Sequence, residues 1–324
     1  MVNLTIDGKR VEAQPGASVL ETALANSIEI PHICWDKRLE PYGGCRMCMV
    51  EIDGYPEPVT SCTTEAREGM VVHSRTERLQ TIRKTLTELL LYDHPRSCLT
   101  CPQTGSCQLQ DVAYDLGIEE FPACDHDRPA DLIFEDVGNA VISRDPDKCI
   151  LCGKCVRICA EVRMNGCLDF AGRGFDTVVH PPKGGLTWDS DCELCGACVD
   201  ICPTGALTVR KSLGKGRRKD WEQVETTCPY CGVGCQITLN VHEGEVVRVT
   251  SDTDKPPNFG NLCVKGRFGY EFINSPDRLQ EPLVRKGGEL VEAGWDEALG
   301  TTADKLKQIM ADHGPQSVGF ASSC

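Results

Sequence analysis

Cysteine spacing constrains this chain more than any other feature. The 324 residues contain 22 cysteines, and residues 149–159 read CILCGKCVRIC while residues 192–203 read CELCGACVDICP. The N-terminal stretch MVNLTIDGKRVEAQPG has no apolar run of the kind a Sec-type leader needs. The chain is therefore expected in a reducing, cytoplasmic compartment, where structural disulfides are rare and clustered thiols read as metal ligands. Along the chain the thiols fall into sets. Cys34, Cys45, Cys48 and Cys62 come first, then Cys98, Cys101 and Cys107 with His94 just ahead. Cys149, Cys152, Cys155 and Cys159 follow, then Cys192, Cys195, Cys198 and Cys202, and last Cys228, Cys231, Cys235 and Cys263. Nineteen cysteines and one histidine thus make five sets of four, leaving Cys124, Cys167 and Cys324 over.

Composition narrows the partners. A net charge of −14 makes duplex nucleic acid and anionic membrane surfaces poor ones. No apolar run approaches the roughly 18 residues of a membrane span. The length accommodates two or more domains. Val2, Leu4 and Ile6 alternate with polar residues, Asp7-Gly8 turns the chain, and Lys9–Ala13 returns, which predicts a hairpin. Ser18 and Glu21 form a capping-box pattern for a short helix carrying Val19, Ala23 and Leu24. A second helix is expected over about Thr76–Asp93, buried through Leu79, Ile82, Leu86, Leu89 and Leu90. Strands are expected at Ala140–Arg144 and Leu207–Arg210, with a hairpin at Ile237–Val241 and Val246–Thr250. Near the end, a helix from Trp295 to about Asp312 and a strand at Ser317–Phe320 are too little for a domain. A fragment, or a fold completed by a partner, is expected there.

The motifs carry resemblances. PYGGCRMC lies within Cys-x10-Cys-x2-Cys-x13-Cys. This pattern resembles the [2Fe–2S] domain of the complex I large peripheral-arm subunit and of [FeFe]-hydrogenases. Gly43 and Gly44 there let backbone N–H groups approach sulfur. HPRSCLTCPQTGSC places His94-x3-Cys98-x2-Cys101-x5-Cys107 at the spacing of the His/Cys3 [4Fe–4S] cluster of the same families. The two Cys-x2-Cys-x2-Cys-x3-Cys runs match the bacterial ferredoxin motif, in which the fourth cysteine of each run serves the other cluster. One [4Fe–4S] set is then Cys149, Cys152, Cys155 and Cys202, and the other is Cys192, Cys195, Cys198 and Cys159. Ala160 stands where the motif has proline after Cys159, whereas Pro203 follows Cys202. Finally, TCPYCGVGCQ and NLCVKGRF give Cys228-x2-Cys231-x3-Cys235-x27-Cys263 followed by Lys-Gly. That resembles the N-terminal [4Fe–4S] domain of molybdopterin oxidoreductases, with formate dehydrogenases nearest. The resemblance places Lys265 between cluster and pterin, as a relay and cofactor-binding residue.

Together these resemblances cover the chain and imply an α+β multidomain fold. Residues 1–78 are expected as a β-grasp [2Fe–2S] domain, 79–135 as the His/Cys3 domain and 136–212 as the two-cluster ferredoxin-like domain. Residues 213–223 are a basic linker, 224–280 the molybdopterin-type [4Fe–4S] domain and 281–324 the start of a bis-pterin α/β domain. The implied protein is the N-terminal iron–sulfur portion of the α subunit of a NAD-dependent molybdenum or tungsten formate dehydrogenase, an oxidoreductase. Its cofactors would be one [2Fe–2S], four [4Fe–4S] and a bis-molybdopterin guanine dinucleotide held mostly by residues beyond this chain. Its partners would be flavin- and iron–sulfur-containing NAD-reducing subunits and the remainder of the catalytic domain. Electrons would enter at the Cys228 set, pass the ferredoxin pair and leave near the [2Fe–2S]. Cys324 does not match the family's catalytic cysteine or selenocysteine motif. The alternatives are a subunit of another molybdopterin oxidoreductase or hydrogenase-type complex and, in a different class, a zinc-stabilised binding module.

Overall fold

Alternation at the N-terminus yields the expected hairpin. β1 (Val2–Ile6) pairs antiparallel with β2 (Lys9–Ala13), Val2 opposite Ala13. The computed structural model describes residues 1–120, 139–180 and 191–321; Cys124 and Cys324 lie outside them. β3 (Met49–Ile52), β4 (Val59–Thr60) and β5 (Val71–His73) complete a five-stranded mixed sheet of order β2-β1-β5-β3-β4, with β1 and β5 parallel. Its inward residues Leu4, Ile6, Val11 and Val72 pack on Val19, Leu20 and Ala23 of α1 (Val19–Ala25). The capping box is formed: Glu21 N–H donates to Ser18 Oγ at 3.2 Å, and Ser18 N–H to the Glu21 carboxylate at 2.8 Å.

α2 (Glu77–Tyr92) begins at Thr76, whose Oγ1 accepts from Leu79 N at 3.3 Å. Its buried face differs from the one expected. Leu79, Arg83, Thr87 and Leu91 are buried, while Leu89 is 64% exposed. The reason is Arg83, which the apolar periodicity cannot reveal. Its guanidinium donates to the carbonyls of Met47 (3.1 Å), Ser74 (2.7 Å) and Met49 (2.8 Å), rotating α2 so that this side chain lies under the cysteine loop.

α3 (Gln108–Asp115) starts directly after Cys107. In the next unit, β6 (Ile142–Arg144) pairs antiparallel with β9 (Leu207–Val209). The two cysteine runs each carry a short helix, α4 (Lys154–Arg157) and α5 (Ala197–Ile201), and a small hairpin of β7 (Asp169–Ala171) and β8 (Val178–His180) lies in the insert. Where Ala160 replaces the motif's proline, the helix runs on as a wide π turn over Ile158–Val162. Alanine keeps the N–H that such a turn needs and proline lacks. In the second run α5 ends at Ile201, just ahead of Cys202-Pro203.

β10 (Glu222–Thr227), β11 (Gln236–His242) and β12 (Glu245–Thr250) form an antiparallel sheet, one strand more than the expected hairpin. α6 (Val264–Phe268) follows Cys263. The basic stretch 211–221 lies against this unit: Lys211 pairs with Glu271 at 2.7 Å, Lys215 with Glu245 at 3.1 Å, and buried Trp221 donates from Nε1 to the Lys215 carbonyl at 2.7 Å. Toward the C-terminus, β13 (Leu283–Lys286) and β14 (Glu289–Glu292) turn at Gly287-Gly288, and α7 (Trp295–His313) buries none of its residues. The expected strand at Ser317–Phe320 does not form. Residues 315–317 make a 3-10 turn, and the residues after it have no strand to pair with among those described, so no ladder can hold them. No helix is long and apolar enough to cross a membrane among the described residues.

Candidate metal centres

The first cysteine set closes around the loop that Arg83 supports. Cys34, Cys48 and Cys62 are buried and Cys45 nearly so. The Cys45 N–H donates to Cys34 Sγ at 3.4 Å. Cys34 favours its thiolate because the Cys45 thiol donates to it and the N–H groups of Cys45 and Gly44 add to the effect. Cys48 is lowered likewise by the Cys62 thiol, and the Gly43 N–H is directed at Cys62. Sulfurs that accept backbone N–H groups are what an anionic iron–sulfur core requires.

His94, Cys98, Cys101 and Cys107 line one small cavity together with Lys148 and Gly205. A Cβ on Gly205 would stand 2.8 Å from Cys101 Sγ, so only glycine fits against that thiol. Gly205 follows the Cys202-Pro203-Thr204 turn, which brings this site beside the next.

There the fourth cysteine of each run lies with the first three of the other. Cys149, Cys152, Cys155 and Cys202 line one cavity. Cys159, Cys192, Cys195 and Cys198 line another, joined by Cys167. Burial pushes the Cys152 thiol up to about 12 and the Cys155 and Cys198 thiols well above their usual range. Thiols this buried lose their protons only to a bound cation that supplies the missing charge. Cys152 also shares an apolar cluster with Cys45, so the first set abuts this pair of sites.

Cys228, Cys231, Cys235 and Cys263 form the fifth group, and the three others act electrostatically on Cys235. Cys231 and Cys263 are exposed. Lys265, on α6, holds its Nζ over the Tyr230 ring, 5.9 Å from the centroid. The twenty candidate residues thus lie in five spatial groups. Among the described residues no three His, Cys, Asp or Glu side chains converge as they would on a single metal ion; the thiols of the second, third and fourth groups stand around voids instead. Donor chemistry, N–H-directed sulfurs and buried thiols around cavities fit iron–sulfur cores.

Charged side chains that the cysteine spacing does not reveal join these units. Arg157 and Asp200 occupy equivalent positions in the two runs, two residues past the third cysteine of each. Arg157 donates to the carbonyls of Cys34 (2.5 Å) and Glu40 (2.6 Å) of the N-terminal unit. Asp200 receives Arg267 at 3.1 Å and Arg248 at 3.4 Å from the unit that carries Cys263. Arg267 also donates to the Cys195 carbonyl at 2.8 Å. Gly196 makes room for it: a Cβ there would lie 2.3 Å from Arg267 Cδ. A charge inside a Cys-x2-Cys-x3-Cys run was the only sequence signal for these contacts.

Known protein families match successive stretches of the chain. Residues 1–77 match the 2Fe-2S iron-sulfur cluster binding domain and 83–122 the NADH-ubiquinone oxidoreductase-G iron-sulfur binding region. Residues 139–208 match the ferredoxin-like domain of NADH-quinone oxidoreductase subunit 3, and 191–238 a 4Fe-4S dicluster domain. Residues 221–275 match the molybdopterin oxidoreductase Fe4S4 domain, and 278–324 the molybdopterin oxidoreductase family. The chain is 41% identical, over 99% of its length, to the NADPH-Fe(3+) oxidoreductase subunit alpha of Geobacter sulfurreducens, covering 37% of that protein. It is 33% identical over 96% of its length to the NADH-quinone oxidoreductase subunit 3 of Thermus thermophilus, covering 43%. With a putative formate dehydrogenase of Bacillus subtilis it shares 30% identity over 99% of its length, covering 37%. The chain thus spans less than half the length of these curated relatives. Among solved structures, it superposes on a chain of an NAD+-reducing [NiFe]-hydrogenase in the H2-reduced state. The TM-score is 0.58 at 32% identity, covering 67% of this chain and 91% of that one.

Proposed function

Because the chain belongs to the iron–sulfur family that links NADH-quinone oxidoreductase G-type proteins with molybdopterin oxidoreductases, we propose that it is the electron-relay portion of a formate dehydrogenase coupled to NAD through a flavin-bearing partner. One observation carries this reading: five ligand groups packed in a continuous series within one chain. Bound clusters would supply reversible one-electron chemistry with little change in geometry. The chain's own residues do the rest. Cys34, Cys45, Cys48 and Cys62 form the end facing the partner. The paired ferredoxin-type sites hold the centre, with Cys152 beside Cys45 and Gly205 beside Cys101. Arg267 ties Cys195 to α6, and so to the Cys228, Cys231, Cys235 and Cys263 group.

That last group is the entry point, with Lys265 on the side a pterin would occupy. Its ammonium, held over the Tyr230 ring, would stabilise negative charge on a cluster bound by this group. Lys265→Met is expected to leave iron content unchanged and to slow reduction from the molybdopterin side by roughly tenfold, about 1.4 kcal/mol in barrier. Loss of iron in that variant would instead make the lysine a structural prop of its cluster.

The reading is tested on anaerobically purified protein. About eighteen iron atoms per chain and broad visible absorbance are expected for one [2Fe–2S] and four [4Fe–4S]. A colourless chain with stoichiometric zinc would overturn it. The 41% identity to an NADPH-Fe(3+) oxidoreductase subunit favours a second reading, an NADPH-linked enzyme that lacks formate activity. Formate-dependent against NADPH-dependent dye reduction by the full-length protein separates the two.

A further inference from the structure

Cys167 belongs to none of the five sets, yet it is only 5% exposed and its Sγ stands 3.6 Å from Cys159 Sγ. It also reaches the Cys192 thiol and lines the same cavity as Cys159, Cys192, Cys195 and Cys198. Five thiols therefore surround a site that needs four. Their surroundings tell them apart. The Cys159 sulfur is met first by the Cys167 thiol and then by the N–H groups of Cys167, Leu168 and Gly166, the setting of a ligand thiolate. Cys167 faces two sulfur acceptors, Cys159 and Cys192, and has room for its own proton between them. The cavity of Cys149, Cys152, Cys155 and Cys202 has no fifth cysteine among its described lining residues.

We propose that Cys167 is a hydrogen-bond donor to the ligand sulfurs Cys159 and Cys192, and that it raises the reduction potential of this one cluster relative to its partner in the ferredoxin-like unit. The inference rests on the reading that this set holds a [4Fe–4S] cluster. Reduction adds one electron to the core and spreads negative charge onto its ligand sulfurs. A thiol donor in a buried, low-dielectric pocket therefore stabilises the reduced form more than the oxidised one. The proton stays on Cys167 throughout. No bond to its sulfur forms or breaks, and the electron comes from the external reductant.

The test compares anaerobically purified wild-type protein with Cys167→Ala and Cys167→Ser, by iron content and by EPR-monitored titration with dithionite and mediators. Iron is expected to be unchanged in both variants. In Cys167→Ala one [4Fe–4S] transition moves to lower potential, by up to about tenfold in its reduction equilibrium, about 59 mV for a one-electron couple. Serine keeps a donor and retains most of the wild-type value. Loss of about four iron atoms in Cys167→Ala would make this thiol a ligand and overturn the proposal. Full iron with an unmoved potential overturns it as well, while leaving the cluster assignment standing. A wild-type protein without iron overturns both.

Discussion

Cys155→Ser is expected to strip about four of roughly eighteen iron atoms from each chain. Cys155 is buried within the cavity it shares with Cys149, Cys152 and Cys202. A serine hydroxyl is a far poorer ligand for iron than a thiolate, and no fifth cysteine lines that cavity among the described residues. The neighbouring set of Cys159, Cys192, Cys195 and Cys198 stays complete, so its cluster remains. The consequence reaches further than the metal count. The lost site lies beside Cys45 on one side and, through Gly205, beside Cys101 on the other. Electrons supplied at the Cys228 end should then no longer reach the [2Fe–2S]. Iron analysis and EPR of protein reduced from the molybdopterin side check this. Wild-type iron content together with an undiminished [2Fe–2S] signal would sink the assignment.

The second large effect is on assembly rather than on metal. Asp200→Asn removes the carboxylate that, among the described residues, both Arg248 and Arg267 meet. Their side chains are 4% and 2% exposed. Two guanidinium groups would be left buried with their charges uncompensated, a loss of about 3–5 kcal/mol for the contact between units. That raises the population of opened molecules a hundredfold or more. The basic stretch 211–221 spans the opened joint and offers trypsin several Lys and Arg sites. Cleavage there should speed up in proportion, since proteolysis follows the open population when reclosing is fast. Cleavage at the wild-type rate would show that Asp200 does not hold the joint.

How much of this was legible beforehand depended on whether the information was local. Residues that wrap one core sit at short fixed intervals on one loop, and the thiols grouped by spacing line common cavities, Cys202 with Cys149, Cys152 and Cys155, and Cys159 with Cys192, Cys195 and Cys198. Hairpins and the Ser18 cap were equally local. Arg83 was not: on α2 it reads as an exposed charge among apolar residues, and only the carbonyls of Met47, Met49 and Ser74 make it a buried anchor. Cys167 looked surplus because its partners are other thiols, one eight residues away and one 25 residues away. Asp200 and Arg267 are joined across 67 positions, which no periodicity encodes. The strand expected at Ser317–Phe320 failed for the converse reason, since a strand exists only with a neighbour.

The equivalence of Arg157 and Asp200 has a further result. A duplicated motif would by itself offer two nearly identical docking faces, and its flanking modules could seat on either. Opposite signs at the matching position forbid the exchange. The cationic face accepts the carbonyl-rich loop around Cys34, the anionic face accepts the two arginines near Cys263, and a swapped arrangement would set like charges together in a dry joint. The internal twofold of the ferredoxin-like core thereby becomes a directional plug, giving the relay distinguishable ends before any partner arrives.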